Sequence, residues 1–220
     1  MSLSEGQKKE LRIKTKAFIM ETLDTIIFVL IAVIVIRFFI GELRWIPSGS
    51  MHPTLIEKDR LFVEKVTKWY RPLQRGDIVV FYPPDERLKK DVFSYLARLT
   101  GIMCKDIAYI KRIVGMPGDK FEIRKNEMGE HFVYINDKEL DEPYILSSSD
   151  WISCTDDMYC GPFAIPEGSY FMMGDNRGNS QDSRFWGFLP KERIIGRSVF
   201  IFWPLDRIRL IPPMETKFVN

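Results

Sequence analysis

The sequence predicts a mainly β domain of coiled antiparallel sheets or a partly open barrel, with a small β insertion, preceded by one N-terminal transmembrane helix. Three observations lead there. An apolar run near the start is apolar on every side of a helix rather than along one stripe. The remainder breaks into short β-branched and aromatic segments between Gly, Pro and Asp. Basic residues gather ahead of the apolar run.

Composition removes several classes first. The chain has 220 residues, 45% of them hydrophobic, enough to bury a core without a metal or staple and too apolar for a disordered chain. With 32 basic and 30 acidic residues the net charge is only +2, which offers no excess to neutralise nucleic-acid phosphates. No nucleic-acid partner is therefore expected. Two histidines, His52 and His131, and three cysteines are too few and too scattered for a zinc finger or an HExxH site, so no metal or cofactor is expected either.

The first 20 residues hold five basic and two acidic side chains, a net of +3, while the other 200 are close to neutral. Thr25 to Ile36 is free of charge, and Phe38-Phe39-Ile40 resume the apolar run after Arg37. Asp24 and Arg37 sit near the ends, where charged groups reach the headgroups by snorkelling. Residues 22–40 make a helix of about 28 Å, enough to span. A cleavable signal peptide needs small residues at its cleavage site, and Arg37-Phe38-Phe39-Ile40-Gly41-Glu42 has no such pattern. An uncleaved anchor is expected, with residues 1–21 cytoplasmic, the rest outside, and Trp45 at the interface.

From Gly41 onward the candidate strands are Leu61–Val66, Asp77–Tyr82, Ile107–Val114, Lys120–Arg124, His131–Ile135, Ser169–Met173 and Ile194–Trp203. Asn136-Asp137-Lys138 reads as a hairpin turn. Between Arg87 and Met103, Val92, Leu96, Leu99 and Met103 recur at helical spacing. Such a stripe either packs into a core, the commoner outcome, or lies on a membrane. Cys154 and Cys160 are six apart in a polar loop and close a small ring in an oxidising compartment, or stay as thiols in a reducing one. Cys104 reads as a small buried apolar residue.

Four stretches stand apart. Pro47-Ser48-Gly49-Ser50-Met51-His52-Pro53-Thr54 fixes a tight loop just after the anchor, although most serines in such loops are turn formers. Arg75-Gly76-Asp77-Ile78-Val79-Val80-Phe81 reads as a turn into a strand. Tyr109-Ile110-Lys111-Arg112-Ile113-Val114-Gly115-Met116-Pro117-Gly118-Asp119 sets a lysine inside an apolar run, where a solvated lysine is the ordinary reading. Gly174-Asp175-Asn176-Arg177-Gly178-Asn179-Ser180-Gln181-Asp182-Ser183-Arg184 is a polar loop. In this order and spacing, all four closely resemble the conserved boxes of bacterial type I signal peptidases, membrane enzymes that remove signal peptides from exported proteins.

That resemblance implies a Ser/Lys dyad: Ser50 as nucleophile and Lys111 as general base. It implies an oxyanion hole from the Ser48 hydroxyl and the Ser50 N–H, Ser180 hydrogen-bonded to Lys111, and Asp182 with Arg184 as a bracing pair. It places Ile46, Met51, Leu55 and Ile110 around pockets for the small residues of a signal peptide. Residues 41–119 and 169–220 would be the catalytic domain and 120–168 an inserted second domain. The implied partners are preprotein signal peptides and the lipid bilayer, with the secretion translocon as a candidate neighbour. The implied location is the plasma membrane, single-pass, with the catalytic domain on the periplasmic side, which favours a Cys154–Cys160 disulfide.

Chemistry supplies the condition that the dyad must meet. A free lysine is only about 0.4% neutral at pH 8 and makes a poor base. Burial lowers its pKa, so Lys111 is expected buried and without a carboxylate in contact. Rival readings are a cytosolic Ser/Lys autopeptidase of the SOS-repressor type, against which the anchor argues, a hydrolase using His52 or His131, and an inactive tethered β domain that binds exported chains.

Overall fold

A computed structural model describes residues 4–66, 71–88, 91–100, 106–147, 151, 154–155, 158–212, 214 and 216–219. Cys104 and Met103 lie outside them. Helix α1 spans Glu5–Val35 and continues as a π-helical turn, Ile36–Ile40. Ser4 caps its start: the Ser4 hydroxyl accepts from the Gln7 N–H, and Gln7 accepts in return from the Ser4 N–H. No side chain of α1 is buried, and the run from Glu5 to Ile40 is long and apolar enough to cross a membrane.

The body is mainly β. Its larger sheet holds β1 (Gly41–Trp45), β2 (Arg60–Glu64), β3 (Ile78–Phe81), β4 (Tyr109–Gly115), β9 (Ser169–Met173), β10 (Leu189–Pro190), β11 (Ile194–Trp203) and β12 (Arg209–Leu210). Their order is β1-β2-β11-β3-β4-β9-β10, with β12 also on β11, and every pair is antiparallel. The ten-residue β11 pairs with β3 through its first half and β2 through its second. Register shifts at Ile194/Gly196, Ser198/Phe200 and Ile201/Trp203 on β11, and at Ile113/Gly115 on β4, add local twist. The sheet thus curls into a half-barrel.

A second sheet, in the order β7-β6-β5-β8, contains β5 (Lys120–Lys125), β6 (His131–Ile135), β7 (Lys138–Glu139) and β8 (Phe163–Ala164). Asn136 and Asp137 form the two-residue turn between β6 and β7, with φ of 52° and 65°. Both are residue types that tolerate this left-handed region. Phe121 of β5 packs against Phe171 of β9, ring centroids 4.1 Å apart, so the two sheets share a core with Val133 and Ile135.

Both faces of β3 are buried, which explains why it reads as an unbroken apolar run. Ile78 and Val80 pack with Leu61, Val63 and Ile201, while Val79 and Phe81 pack with Ile113, Met172 and Ile194. β1 begins directly where α1 ends. A Cβ on Gly41 would collide with the Val63 carbonyl and the Phe62 ring, so glycine is needed where the helix hands over to the sheet.

The helix expected between Arg87 and Met103 exists as α2, Val92–Thr100, with Ala97 buried and the described part of its apolar stripe, Val92 and Leu96, left open. Val92, Phe93 and Leu96 are exposed, and α2 lies against α1 and the π-helical turn. An apolar stripe announces that a helix has a non-aqueous side without saying whether protein covers it.

Candidate active site

Ser50 lies in a single 3-10 turn, Gly49–Met51, and is 8% exposed. Met51 and Leu55 are fully buried beneath it, so the loop is pinned to the core from below. From above it is held by the loop after β9. The Asn176 N–H donates to the Ser50 carbonyl at 3.1 Å, and Asn176 Nδ2 donates to the Gly49 carbonyl at 3.2 Å. Gly174 is indispensable to this clamp, since a Cβ there would collide with Ser180 Oγ and the Ser50 carbonyl oxygen.

Lys111 sits within β4, opposite Val79 on β3, and is 5% exposed. Its Nζ is 2.8 Å from Ser50 Oγ and 3.1 Å from the Ile110 carbonyl oxygen. No carboxylate forms an ion pair with it among the described residues. Burial lowers its pKa from 10.5 to about 8; the charges of Asp182 and Asp175 oppose that fall and the Arg184 charge assists it. The amine thus exchanges its proton in the range where a general base works.

Around this pair the ionic groups are matched with one another. Asp182 and Arg184 are wholly buried and joined by two bonds, Nε to Oδ1 at 2.8 Å and Nη2 to Oδ2 at 2.9 Å. Burial pushes the Asp182 carboxyl up, but the Arg184 bonds and charge, the Gly174 N–H and the Ser180 hydroxyl outweigh it and hold the carboxyl below its ordinary value. Asp182 also accepts from the Arg184 N–H at the start of the short helix α3, Ser183–Trp186. Arg112 grips Asp175 through two bonds of 2.8 and 2.6 Å, while Thr54 donates to the same carboxylate. Arg177 pairs with Glu142 and lies over the Trp151 ring. Thr54, Arg112, Glu142, Asp175, Asn176 and Arg177 were not singled out by sequence reasoning. The signal for most of them was their position inside the boxes, next to the named residues.

The structure places Ser180 out of bonding contact with Lys111, and three of the four expected pocket residues away from the groove. Ser180 is buried and its Oγ does not bond to Lys111; among the described residues its one polar interaction is with the Asp182 carboxylate, short of normal hydrogen-bond geometry. The lysine's bonds go instead to Ser50 and Ile110, and Ser180 is packed over Gly174. The groove beside the pair, about 370 Å³, is bordered by Pro47, Ser48, Ile107, Tyr109, Ile110 and Gln181, among others. Of the four expected pocket residues only Ile110 borders it. Ile46, Met51 and Leu55 are at most 2% exposed and belong to the core, because the serine turn needs an apolar floor.

Ser48 is exposed at the groove wall, its Oγ 3.5 Å from Ser50 Oγ. Cys154 and Cys160 are joined by a disulfide, with Cα atoms 6.2 Å apart. His131 is not near the pair; it stacks on Trp151, ring centroids 5.6 Å apart. Among the described residues no group of three or more His, Cys, Asp or Glu is placed to hold a metal.

A family model described as signal peptidase, peptidase S26, matches residues 19–203. The chain belongs to this family. Within it, the chain is 39% identical to a signal peptidase I of Leptolyngbya laminosa, over 91% of this chain and 87% of the relative. It is also 39% identical to a probable signal peptidase I-2 of Synechocystis, over 85% and 74%. Signal peptidase I S of Bacillus subtilis is 34% identical, over 91% and 98%. Among solved structures, a signal peptidase I of Enterococcus faecalis aligns with 58% of this chain and 97% of its own, at 28% identity and a TM-score of 0.39. The four stretches singled out in the sequence fall on the serine turn, the β3 entry, β4 and the loop after β9, which meet around Ser50 and Lys111.

Proposed function

We propose that this S26-family hydrolase is a membrane-anchored signal peptidase that cleaves signal peptides from exported preproteins with a Ser50/Lys111 dyad. The observation that carries the reading is a buried lysine amine 2.8 Å from a serine hydroxyl, with its pKa near 8 and no carboxylate in contact. In this reading neutral Lys111 accepts the Ser50 proton as Oγ attacks the scissile carbonyl carbon. The Ser50 N–H and Ser48 hydroxyl receive the developing oxyanion, each donor supplying about 3–4 kcal/mol. Lys111 then returns the proton to the departing amine of the mature protein. Lys111, neutral again, takes a proton from water as its oxygen attacks the acyl carbon, and passes that proton to Ser50 Oγ as the ester bond breaks and the signal peptide leaves with a free carboxyl terminus.

The remaining assignments belong to the same proposal. Asp182 and Arg184 brace the loop that holds Ser50, and Ser180 contributes by packing beside the serine rather than through a bond to the amine. Residues 41–119 and 169–220 are the catalytic domain, and 120–168 its insertion. The basic start stays in the cytoplasm and the dyad works on the far face of the bilayer, where a signal peptide emerges beside the translocon. The substrate lies extended along the groove between the Pro47–Ser48 segment and residues 107–110, a strand added to an open edge.

The test uses the full chain in detergent with a preprotein. Wild type releases the mature protein by a cut at the signal-peptide junction, and Ser50→Ala does not. Equal cleavage by both overturns the reading.

A further inference from the structure

Where α1 meets the body, a second cavity of about 450 Å³ opens, sharing no residue with the groove at Ser50. Four cations border it: Arg37 from the π-helical turn, Lys65 just after β2, Arg98 from α2, and Arg193 just before β11. Among the described residues one carboxylate, Glu192, borders it too. Below, the buried Glu42 is shared by Arg37 at 3.1 Å, Arg44 at 2.5 Å and Lys65 at 3.0 Å, three cations on one carboxylate. Arg98 pairs with Asp106, and Arg193 donates to the carbonyl oxygens of Pro83 and Glu86, which are neutral acceptors. Among the described residues, the five cations Arg37, Arg44, Lys65, Arg98 and Arg193 outnumber the carboxylates Glu42, Asp106 and Glu192 by two.

Among the described residues around the cavity, several large apolar side chains are exposed. On α2, Val92 is 75%, Phe93 65% and Leu96 49% exposed, while Phe38, another lining residue, is 49% exposed. Tyr95 from α2 and Tyr82 complete the wall with aromatic rings that carry a hydroxyl. A basic recess rimmed by exposed aliphatic and aromatic side chains, at the mouth of an apolar helix, has the chemistry of a membrane interface.

We propose that this cavity binds the phosphate headgroup of an anionic phospholipid of the leaflet into which α1 ends, while Val92, Phe93 and Leu96 enter the acyl layer. The inference rests on the proposed membrane anchoring by α1. Charge decides the ligand class. A lone phosphate diester matches the surplus cations, whereas a zwitterionic headgroup brings an ammonium for which Glu192 is the single bordering carboxylate among the described residues. Such a lipid would give α2 a function and fix the height and tilt of the body, hence of the Ser50 groove, above the bilayer.

The test is native mass spectrometry of the full chain in detergent, with phosphatidylglycerol, phosphatidylcholine or inorganic phosphate added. Phosphatidylglycerol is expected to be retained in preference to phosphatidylcholine, and Arg98→Gln and Arg193→Gln each to weaken its retention about fivefold. Arg98→Gln leaves the carbonyl bonds of Arg193 in place and keeps the test valid if Arg193→Gln unfolds its loop. Equal retention of both lipids, or unchanged phosphatidylglycerol retention in Arg98→Gln, overturns the proposal. Displacement of the lipid by an equal concentration of inorganic phosphate also overturns it, since the site would then take a soluble anion. Flotation with phosphatidylcholine vesicles separates the two claims. Failure to float refutes the anchor, and flotation without lipid preference refutes only the cavity.

Discussion

Replacing Lys111 with methionine should stabilise the protein at neutral pH while destroying its activity. The fall of the lysine pKa from 10.5 to about 8 corresponds to about 3 kcal/mol of penalty for holding the charged amine in the interior. Below pH 8 the amine is protonated in both the folded and the unfolded chain, so that penalty is present in full. Between about 8 and 10.5 the unfolded chain keeps a proton that the folded chain has released, and stability rises with pH. Above 10.5 the penalty is gone. Methionine has similar length and no charge, and it loses two contacts, to Ser50 Oγ and the Ile110 carbonyl, worth about 1 kcal/mol each. A net gain of about 1 kcal/mol at pH 7 remains, about 2–4 °C in melting temperature for a body of this size. The assay is thermal unfolding of the full chain in detergent from neutral pH to above 10.5, wild type beside variant. The advantage of Lys111→Met should shrink as pH rises through this interval. A variant that melts lower than wild type at pH 7, or an advantage that does not change with pH, refutes the idea that a buried lysine charge is being held against its preference.

Three further outcomes follow from the same geometry. Gly174→Ala places a Cβ against Ser180 Oγ and the Ser50 carbonyl, so preprotein cleavage should fall at least tenfold at saturating substrate, checked by kcat. Arg112→Ala strands the buried Asp175 carboxylate and should lower stability by about 3–5 kcal/mol, read by denaturant unfolding. Reducing the Cys154–Cys160 disulfide reopens a six-residue loop and should cost about 2 kcal/mol of stability, with kcat unchanged, seen by adding dithiothreitol to both assays.

How much of this was legible beforehand differs by element. β6, β9 and β11 occupy the spans His131–Ile135, Ser169–Met173 and Ile194–Trp203 that their β-branched and aromatic residues suggested. β1 was not foreseen, because Glu42 and Arg44 make Gly41–Trp45 look like surface. Glu42 is in fact buried under three cations, a tertiary compensation that no local pattern carries. The two-residue strands β8, β10 and β12 exist only through their partners. At the site, the boxes led to Ser50 and Lys111, 61 residues apart in sequence and in contact in the fold. Residue type alone did not separate floor from wall: Met51 and Leu55 are as apolar as Ile110, yet only Ile110 reaches the groove. Nor did it reveal that the Lys111 contacts are Ser50 and a backbone carbonyl rather than Ser180.

The central claim, that Lys111 is the base for Ser50, is tested most directly by kcat/KM for preprotein cleavage in Lys111→Ala and His131→Ala side by side. The geometry predicts a loss of about 10⁴-fold or more for the first, as for other members of a catalytic dyad or triad, and near wild-type cleavage for the second, whose ring is occupied with Trp151. Retention of activity within about tenfold in a folded Lys111→Ala protein, or loss in His131→Ala alone, would contradict the account.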